Sequence, residues 1–552
     1  MSSSLFPALV WQELEAQETR RVTVDMLRAA AAATAAPFGD AELTAMVAAA
    51  NEHLTRYETL RRVRLDNSVA PPLYFNPLLP GMPVDRTKRE FRPAMSRAVA
   101  RPAKLEDIAF LPITALALLL RTRQVTSVEL TEMYLTRLKR FNPTLRCAVT
   151  LTEDRARDQA HTADREIAAG RYRGPLHGVP WGAKDIIAVK GYPTTWGAAP
   201  FKDRVLDDDA TVVSRLDAAG AVLIAKLATG ELARDDVWFG GQTMNPWDVT
   251  MGSQGSSAGP GSATAAGLVG FSIGSETLGS IVEPAGICGV TGLRPTFGRV
   301  SRHGVMALSW SLDKVGPMCR SVEDCAIVLN VLRGPDGHDL SVQDVPFNWN
   351  PGTVDIRTLR VGYLKAAFDD TRQSAQTNAN DAAALDVLRS LGISLVEVRL
   401  PEHSTIDPLP ILYGEANATL VDPIRAQPQS LVRQDRVITQ NAMFFLPASA
   451  YLDANRLRML LMREMAQVMT DVDVYVVPFD YSDYTPNPVA TLNTNVTNLT
   501  GQPCVQVPHG FDEKGHPTAL AFIGRVFGEA PMLALARAYQ ERTDWHRRHP
   551  ML

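Results

Sequence analysis

The spacing of hydrophobic and polar positions changes near residue 102 of this 552-residue chain. From residue 12 to about 65, alanine and leucine recur at helical spacing, as in VDMLRAAAAATAA. Residues 70–112 are rich in proline and lack a period, which predicts an extended connection. We therefore predict a helical N-terminal extension with a proline-rich connection over residues 1–101, followed by one domain over residues 102–552.

Within this second region, helical patterns alternate with short apolar runs. Thr126 and Glu129 form a capping box at the start of a helix. The run AVLIAKL predicts a strand that follows a helix and a glycine, and DVYVVP predicts a strand after a long helix. Such alternation is typical of an α/β fold.

Composition and charge exclude several classes of function. Hydrophobic residues make up 45% of the chain, as in ordinary globular proteins. The net charge is −4 and no long basic run occurs, which argues against direct binding of nucleic acid or anionic membranes. The most apolar run, ITALALLL, is far shorter than the roughly 20 residues that span a bilayer. We expect a cytoplasmic protein, although an export signal removed before this start would leave the same sequence.

Metal and phosphate sites are not indicated. The five cysteines lack CxxC spacing, which predicts buried free thiols. The ten histidines are scattered, and His546 and His549 have no carboxylate or thiol at ligand spacing. No phosphate-binding glycine motif is present. We therefore expect no metal ion.

A glycine-rich segment at residues 252–298 has 12 glycines in 47 positions, which indicates unusual backbone angles or close approach. It contains GSSAG, which matches the GxSxG elbow of esterases with Ser257 as nucleophile. That elbow requires a preceding strand, whereas MNPWDVTMGSQ has proline, asparagine and glycine and no alternating apolar run. An esterase that uses Ser257 is therefore the weaker alternative.

Two lysines lie in apolar surroundings. Lys184, in HGVPWGAKDIIAV, would be a base if burial lowered its pKa, or a surface lysine beside Asp185. This stretch alone leaves both interpretations open. Lys226 ends an apolar run before a polar turn, which favours a structural role.

Several motifs together resemble those of the amidase signature family of serine hydrolases. They include HGVPWGAKDI, NPWDVTMGSQGSSAGPGSATAAG and GSETLGSIVEPAGICGVTGLRPTFGRVS, and the resemblance resumes at NLTGQPCVQVPHGF. It covers most of residues 105–335 and about the last 60 residues. It implies an α/β fold with a mixed, mainly parallel central sheet flanked by helices on both faces.

The resemblance also implies a site without a metal or organic cofactor. The family nucleophile falls on Ser280, the bridging serine on Ser256, 24 positions earlier, and the lysine on Lys184. The implied oxyanion hole consists of four backbone N–H groups, those of Thr277, Leu278, Gly279 and Ser280.

Three positions depart from the family pattern. Glu276 stands where aspartate is usual, Leu278 where glycine is usual, and Val282 where arginine is usual. We expect Leu278 to tilt the oxyanion loop and to wall the pocket. Because Glu276 is longer than aspartate and Val282 carries no charge, the sequence leaves open which residues form ion pairs around the nucleophile.

The implied activity is hydrolysis of amide bonds, with aryl amides, esters or carbamates as further substrates. The alternative is an amidase-like subunit of a tRNA-dependent amidotransferase complex. Residues 405–450 and 480–497 would line the substrate pockets, and their apolar and aromatic content favours a neutral or aromatic small-molecule substrate. We expect a monomer or homodimer.

Overall fold

The computed structural model describes residues 22–34, 38–61, 67, 69, 73–426, 428–434, 446–479 and 487–552. The helical N-terminal stretch is confirmed by helices α1 (Val24–Ala33) and α2 (Asp40–Arg61). The described residues between 67 and 101 form neither helix nor strand, as expected for a proline-rich connection. A domain boundary near residue 102 stays a prediction.

The remaining elements alternate as the hydrophobic pattern predicts. The capping box of Thr126 and Glu129 is present at the start of the helix Ser127–Leu145. The further helices are α3 (Ile113–Arg121), α4 (Ser127–Leu145), α5 (Glu153–Ala168), α6 (Thr211–Ala218), α7 (Ala258–Ala265), α8 (Val282–Cys288), α9 (Val322–Leu332), α10 (Lys365–Phe368), α11 (Ala375–Ser390), α12 (Leu409–Ala426), α13 (Ala448–Asp471), α14 (Pro488–Thr500) and α15 (Glu529–Thr543). The strands are β1 (Ala148–Leu151), β2 (Pro180–Lys184), β3 (Val222–Leu227), β4 (Val237–Trp238), β5 (Gly241–Gln242), β6 (Met244–Asn245), β7 (Asp248–Gly252), β8 (Phe271–Glu276), β9 (Thr291–Arg294), β10 (Lys314–Cys319), β11 (Val361–Leu364), β12 (Leu395–Val398), β13 (Val474–Phe479), β14 (Cys504–Phe511) and β15 (Pro517–Gly524).

One 11-stranded mixed sheet organises the α/β fold, in the order β1-β3-β2-β8-β10-β9-β14-β15-β13-β11-β12. The mixed sheet is as predicted, but it has fewer parallel pairs than expected. Four neighbouring pairs are parallel, β2 with β3 and β8, and β11 with β12 and β13. The other six described pairs are antiparallel, partly because short turns such as that between β14 and β15 can join only antiparallel strands.

The central strands are covered on both faces. Strands β2, β8, β10 and β15 are buried at every position, and successive side chains of a strand point to opposite faces. Helices α8 and α15 both pack on β14 and β15. The five cysteines lie buried as free thiols, as predicted.

The connection at the end of the N-terminal extension packs on this body. The Arg92 N–H donates to the carbonyl of Trp349 at 2.8 Å, and the Ala94 N–H donates to Glu323 at 2.9 Å. No helix within the described ranges is both long and apolar enough to cross a membrane.

Candidate active site

Lys184 lies at the end of β2 and its side chain is fully buried. Its amine is surrounded by serine hydroxyls. Lys184 Nζ lies 2.8 Å from Ser256 Oγ, 2.9 Å from Ser275 Oγ and 3.1 Å from Ser257 Oγ. Hydroxyls can accept from a charged amine and donate to a neutral one, so this arrangement fits both protonation states.

The carboxylate nearest to Lys184 in sequence is directed elsewhere. Asp185 pairs with the buried amine of Lys226 at 2.6 Å, so Lys184 does not share that charge. Burial lowers the pKa of Lys184 to about 7, against the weaker opposing fields of Asp313 and Glu276. The interpretation of Lys184 as a surface lysine is therefore wrong, and Lys226 is held in a buried ion pair.

Ser256 lies in a compact loop, with a cis peptide bond between Gly255 and Ser256. A side chain at Gly255 would collide with the backbone, because its Cβ would lie 1.8 Å from the carbonyl oxygen of Asp235. The next residue ties this loop to the predicted nucleophile, since the Ser257 N–H donates to the carbonyl of Ser280 at 3.1 Å. The loop thus places Ser256 beside both Lys184 and the backbone at Ser280.

Ser280 lies in the turn between β8 and α8 and is 8% exposed. Within the described part of the chain, its hydroxyl makes no hydrogen bond to Ser256, a contact that often forms only when substrate is bound. The N–H groups of residues 277–280 also lack an acceptor among the described residues. Buried amides need a partner, so this turn is suited to hold an oxygen atom of a ligand.

Two side chains show how the turn is built. Gly279 has φ +86°, a backbone conformation that favours glycine. Leu278, expected to wall the pocket, instead packs partly buried against the hydrophobic core. The residue with the positive φ is therefore a glycine, as this backbone conformation favours. Leu278 packs against the core and does not line the described cavity.

Glu276, which precedes this turn, forms hydrogen bonds to the backbone that follows it. Its carboxylate accepts from the N–H groups of Ile281 and Val282 at 2.9 and 3.0 Å. Arg294 pairs with it at 2.7 Å. Burial acts to raise the pKa of Glu276, but the charges of Arg294 and Lys314, with a hydrogen bond from Asn498, hold it at about 2. Arg294 supplies a cation although Val282 cannot, which answers the question of ion pairing that the sequence left open. The sequence reasoning missed this pair, although Arg294 is one of three charged residues of the glycine-rich segment.

The geometry of Ser257 disagrees with an esterase elbow. The residue is fully buried, and its hydroxyl donates to the Ser275 carbonyl at 3.0 Å. Strand β7, which precedes it, pairs with β6 in a two-stranded ribbon outside the central sheet. An elbow nucleophile would be exposed at the end of a central strand.

A cavity of 290 Å³ reaches Ser275 and Thr277, next to the Lys184 amine. Among the charged groups in its wall, Arg302 pairs with Asp339 at 2.8 Å, Lys314 donates to an asparagine on α14 at 2.6 Å, and Asp313 accepts from the Thr277 hydroxyl at 2.6 Å. The wall combines residues from six parts of the chain: Asn67, Val69, Leu73, Tyr74, Phe75, Ile186, Ala233, Ser275, Thr277, residues 302–308, Trp310, residues 313–315 and residues 338–341.

Glu283 is a further titratable group beside this turn. A Cβ built at Gly279 would lie 2.1 Å from a Glu283 carboxylate oxygen, so the two residues are in close contact. Burial and the negative charges of Glu276 and Asp235 raise the pKa of Glu283 to about 8. Its titration must therefore be separated from that of Lys184 in any pH study.

One group of possible metal ligands occurs among the described residues, and it includes none of the serines or lysines discussed above. It consists of Glu402, His403 and Glu464, where the histidine N–H groups already bind Glu464. At the C-terminus, His549 stacks on Phe110 with a centroid distance of 3.8 Å. Neither arrangement bears on the serine and lysine cluster.

Comparison with known proteins places this architecture in a family. The model of the Amidase family matches residues 129–533, and the chain belongs to the amidase signature family. It is an amidase-signature enzyme that acts on carbon–nitrogen bonds.

Individual relatives fall into two kinds. A glutamyl-tRNA(Gln) amidotransferase subunit of Chloroflexus aurantiacus is 37% identical over 489 residues, which cover 81% of this chain and 100% of the relative. The solved native peptide amidase of Stenotrophomonas maltophilia is 30% identical, with a TM-score of 0.70, 81% coverage of this chain and 99% of that one. A 6-aminohexanoate cyclic dimer hydrolase, at 24% identity, TM-score 0.70 and coverage of 80% and 99%, shares the fold.

Proposed function

We propose that the protein is a stand-alone amide hydrolase in which Ser280 is the nucleophile and Lys184 the base, acting through Ser256. The observation that carries the proposal is the buried Lys184 amine, 2.8 Å from Ser256 Oγ and with a pKa lowered to about 7. A neutral amine can accept a proton, so a relay of hydroxyls can activate a serine without histidine.

The proposed reaction has two halves. Lys184 accepts the proton of Ser256 as Ser256 accepts that of Ser280, and Ser280 Oγ bonds to the carbonyl carbon. The negative oxygen is held by the free N–H groups of residues 277–280. Ser256 then returns a proton to the leaving nitrogen, the carbon–nitrogen bond breaks, and water releases the acyl group from Ser280.

A neutral or aromatic amide is the proposed substrate class, with aryl amides, esters or carbamates as further substrates. Support comes from the cavity beside Ser275, where Arg302 is paired with Asp339 and both Lys314 and Asp313 are hydrogen-bonded within the protein. Of the two segments predicted to line the pockets, residues 427, 435–445 and 480–486 lie outside the described residues. The described cavity is lined instead by residues near 70, 305 and 340.

The test is intact-protein mass spectrometry after treatment with a fluorophosphonate, with peptide mapping and a panel of amide, anilide, ester and carbamate substrates. We expect one adduct on Ser280, which Ser280→Ala removes together with turnover. Ser257→Ala is the matched control and should retain the adduct. An adduct on Ser257, or full turnover by Ser280→Ala, would contradict the proposal.

A second candidate is a subunit of an amidotransferase complex, favoured by the 37% identity to such a protein over its whole length. The N-terminal extension and the departures at Glu276, Leu278 and Val282 favour the hydrolase instead. Purification of the chain alone distinguishes the two, because a hydrolase should turn over simple amides as a monomer or homodimer. Glutamine hydrolysis that depends on partner chains would support the amidotransferase complex.

A further inference from the structure

Part of the N-terminal extension reaches the cavity beside the candidate active site. We call its five described cavity-lining residues the rim segment: Asn67, Val69, Leu73, Tyr74 and Phe75. The match to the Amidase family begins only at residue 129. The rim segment is therefore an addition to the part of the chain that the family model describes.

Both ends of the rim segment are fastened to the body. The Asn67 side chain accepts from the Ala307 N–H at 2.8 Å and donates to the Ala307 carbonyl at 3.1 Å. Phe75 lies under the guanidinium of Arg458, 3.6 Å from its ring centroid, and packs edge-on against Phe297 at 5.0 Å. These contacts fix the rim segment beside the cavity.

Between these anchors, apolar side chains remain open to solvent. Leu73 is 72% exposed, and Val69 and Tyr74 are each 50% exposed. Leu340, which also lines the cavity, is 65% exposed. Exposed apolar groups gathered around one concave site are typical of a surface that a ligand covers.

We propose that the rim segment is a wall of the substrate pocket and selects amides that carry an extended apolar group. This inference rests on the proposed amide hydrolysis, because the cavity floor at Ser275 and Thr277 adjoins the proposed catalytic residues. An apolar group attached to the scissile amide would lie between the rim segment and Leu340. When this group contacts Val69, Leu73 and Tyr74, apolar surface of both the substrate and the protein is removed from water.

The test compares a triple variant, Val69→Ala with Leu73→Ala and Tyr74→Ala, with wild type. Substrates are 4-nitroanilides with acyl groups from acetyl to decanoyl, and acetylated amines of increasing chain length. For each series, the ratio of kcat/KM for the longest substrate to that for the shortest is measured in both proteins. In one of the two series, we expect this ratio to be about tenfold lower in the triple variant than in wild type, because KM for the longest substrate rises. An unchanged ratio in both series would overturn the proposal.

The matched control is Met26→Ala with Phe38→Ala, which alters two exposed apolar side chains of the extension that do not line the cavity. It should keep the wild-type ratio. If the wild-type protein shows neither turnover nor an adduct on Ser280, the proposed function is refuted instead. Calorimetric binding of decanoyl 4-nitroanilide and of the longest acetylated amine to Ser280→Ala would then test the wall alone. About tenfold weaker binding of either compound when the triple change is added would support the wall, and equal binding of both would overturn it.

Discussion

Lys184 and Lys226 lie on the neighbouring strands β2 and β3, both fully buried, but in different surroundings. Lys226 contacts the carboxylate of Asp185 at 2.6 Å, whereas Lys184 contacts serine hydroxyls. Burial lowers the pKa of both amines, but the adjacent Asp185 carboxylate opposes this effect at Lys226, whereas the hydroxyls around Lys184 supply no negative charge. The difference shows how one sheet provides both a structural lysine and a candidate base.

The largest expected effect comes from removal of the candidate base. Lys184→Met should lower kcat/KM about 10³-fold, because proton transfer from Ser256 loses its acceptor. The folded state should not lose stability, since the variant removes a buried amine without a carboxylate partner. Steady-state kinetics and thermal unfolding measure both effects. Retention of more than a tenth of the activity would show that another group is the base.

The partner lysine should behave in the opposite way. Lys226→Met leaves Asp185 buried without its cation, which is expected to lower the free energy of unfolding by about 3–5 kcal/mol. Chemical denaturation measures this loss. The double variant with Asp185→Asn removes the uncompensated charge and should recover part of the stability. Equal stability of Lys226→Met and wild type would contradict the buried ion pair.

The pH dependence tests the protonation state of Lys184. Its pKa of about 7 predicts that kcat/KM rises about tenfold between pH 6 and pH 8, as the amine loses its proton. The sign follows from the role of base, which requires the neutral amine. Because the unfolded lysine has its ordinary pKa of 10.5, the unfolded state binds more protons between about pH 7 and 10.5, so stability should also rise with pH there.

Glu283, with a pKa near 8, needs a control in the same experiment. Glu283→Gln should retain the rise in kcat/KM around pH 7 if Lys184 is the titrating group. A rise that disappears in this variant would assign the titration to the carboxyl group, and a rate that is maximal near pH 5 would contradict the relay.

The smallest effect is expected at Ser275, whose hydroxyl lies 2.9 Å from Lys184 Nζ. Ser275→Ala should cost about 1 kcal/mol of transition-state stabilisation, or roughly fivefold in kcat/KM. It should also shift the pH dependence to lower pH, because the charged amine loses an acceptor. Ser272→Ala, on the same strand but outside the contacts of Lys184, should leave the pH dependence unchanged. A profile for Ser275→Ala that matches wild type would exclude this role.

Much of the fold followed from local patterns. The long helix predicted before DVYVVP occupies Ala448–Asp471, and the strand predicted from AVLIAKL occupies Val222–Leu227. Hydrophobic periodicity and helix caps act over a few residues, so a sequence reveals them directly. The proportion of parallel strand pairs in the sheet could not be predicted from local patterns, because it depends on which strands, distant in sequence, become neighbours.

The sequence by itself determined the family, the spacing of Ser256 and Ser280, and the candidate role of Lys184. Only the tertiary structure decided that Asp185 serves Lys226, that Arg294 pairs with Glu276, and that the rim segment lines the cavity. The physical reason is that a pKa, an ion pair and a pocket wall depend on burial and on neighbours in space. Those neighbours come from residues far apart along the chain.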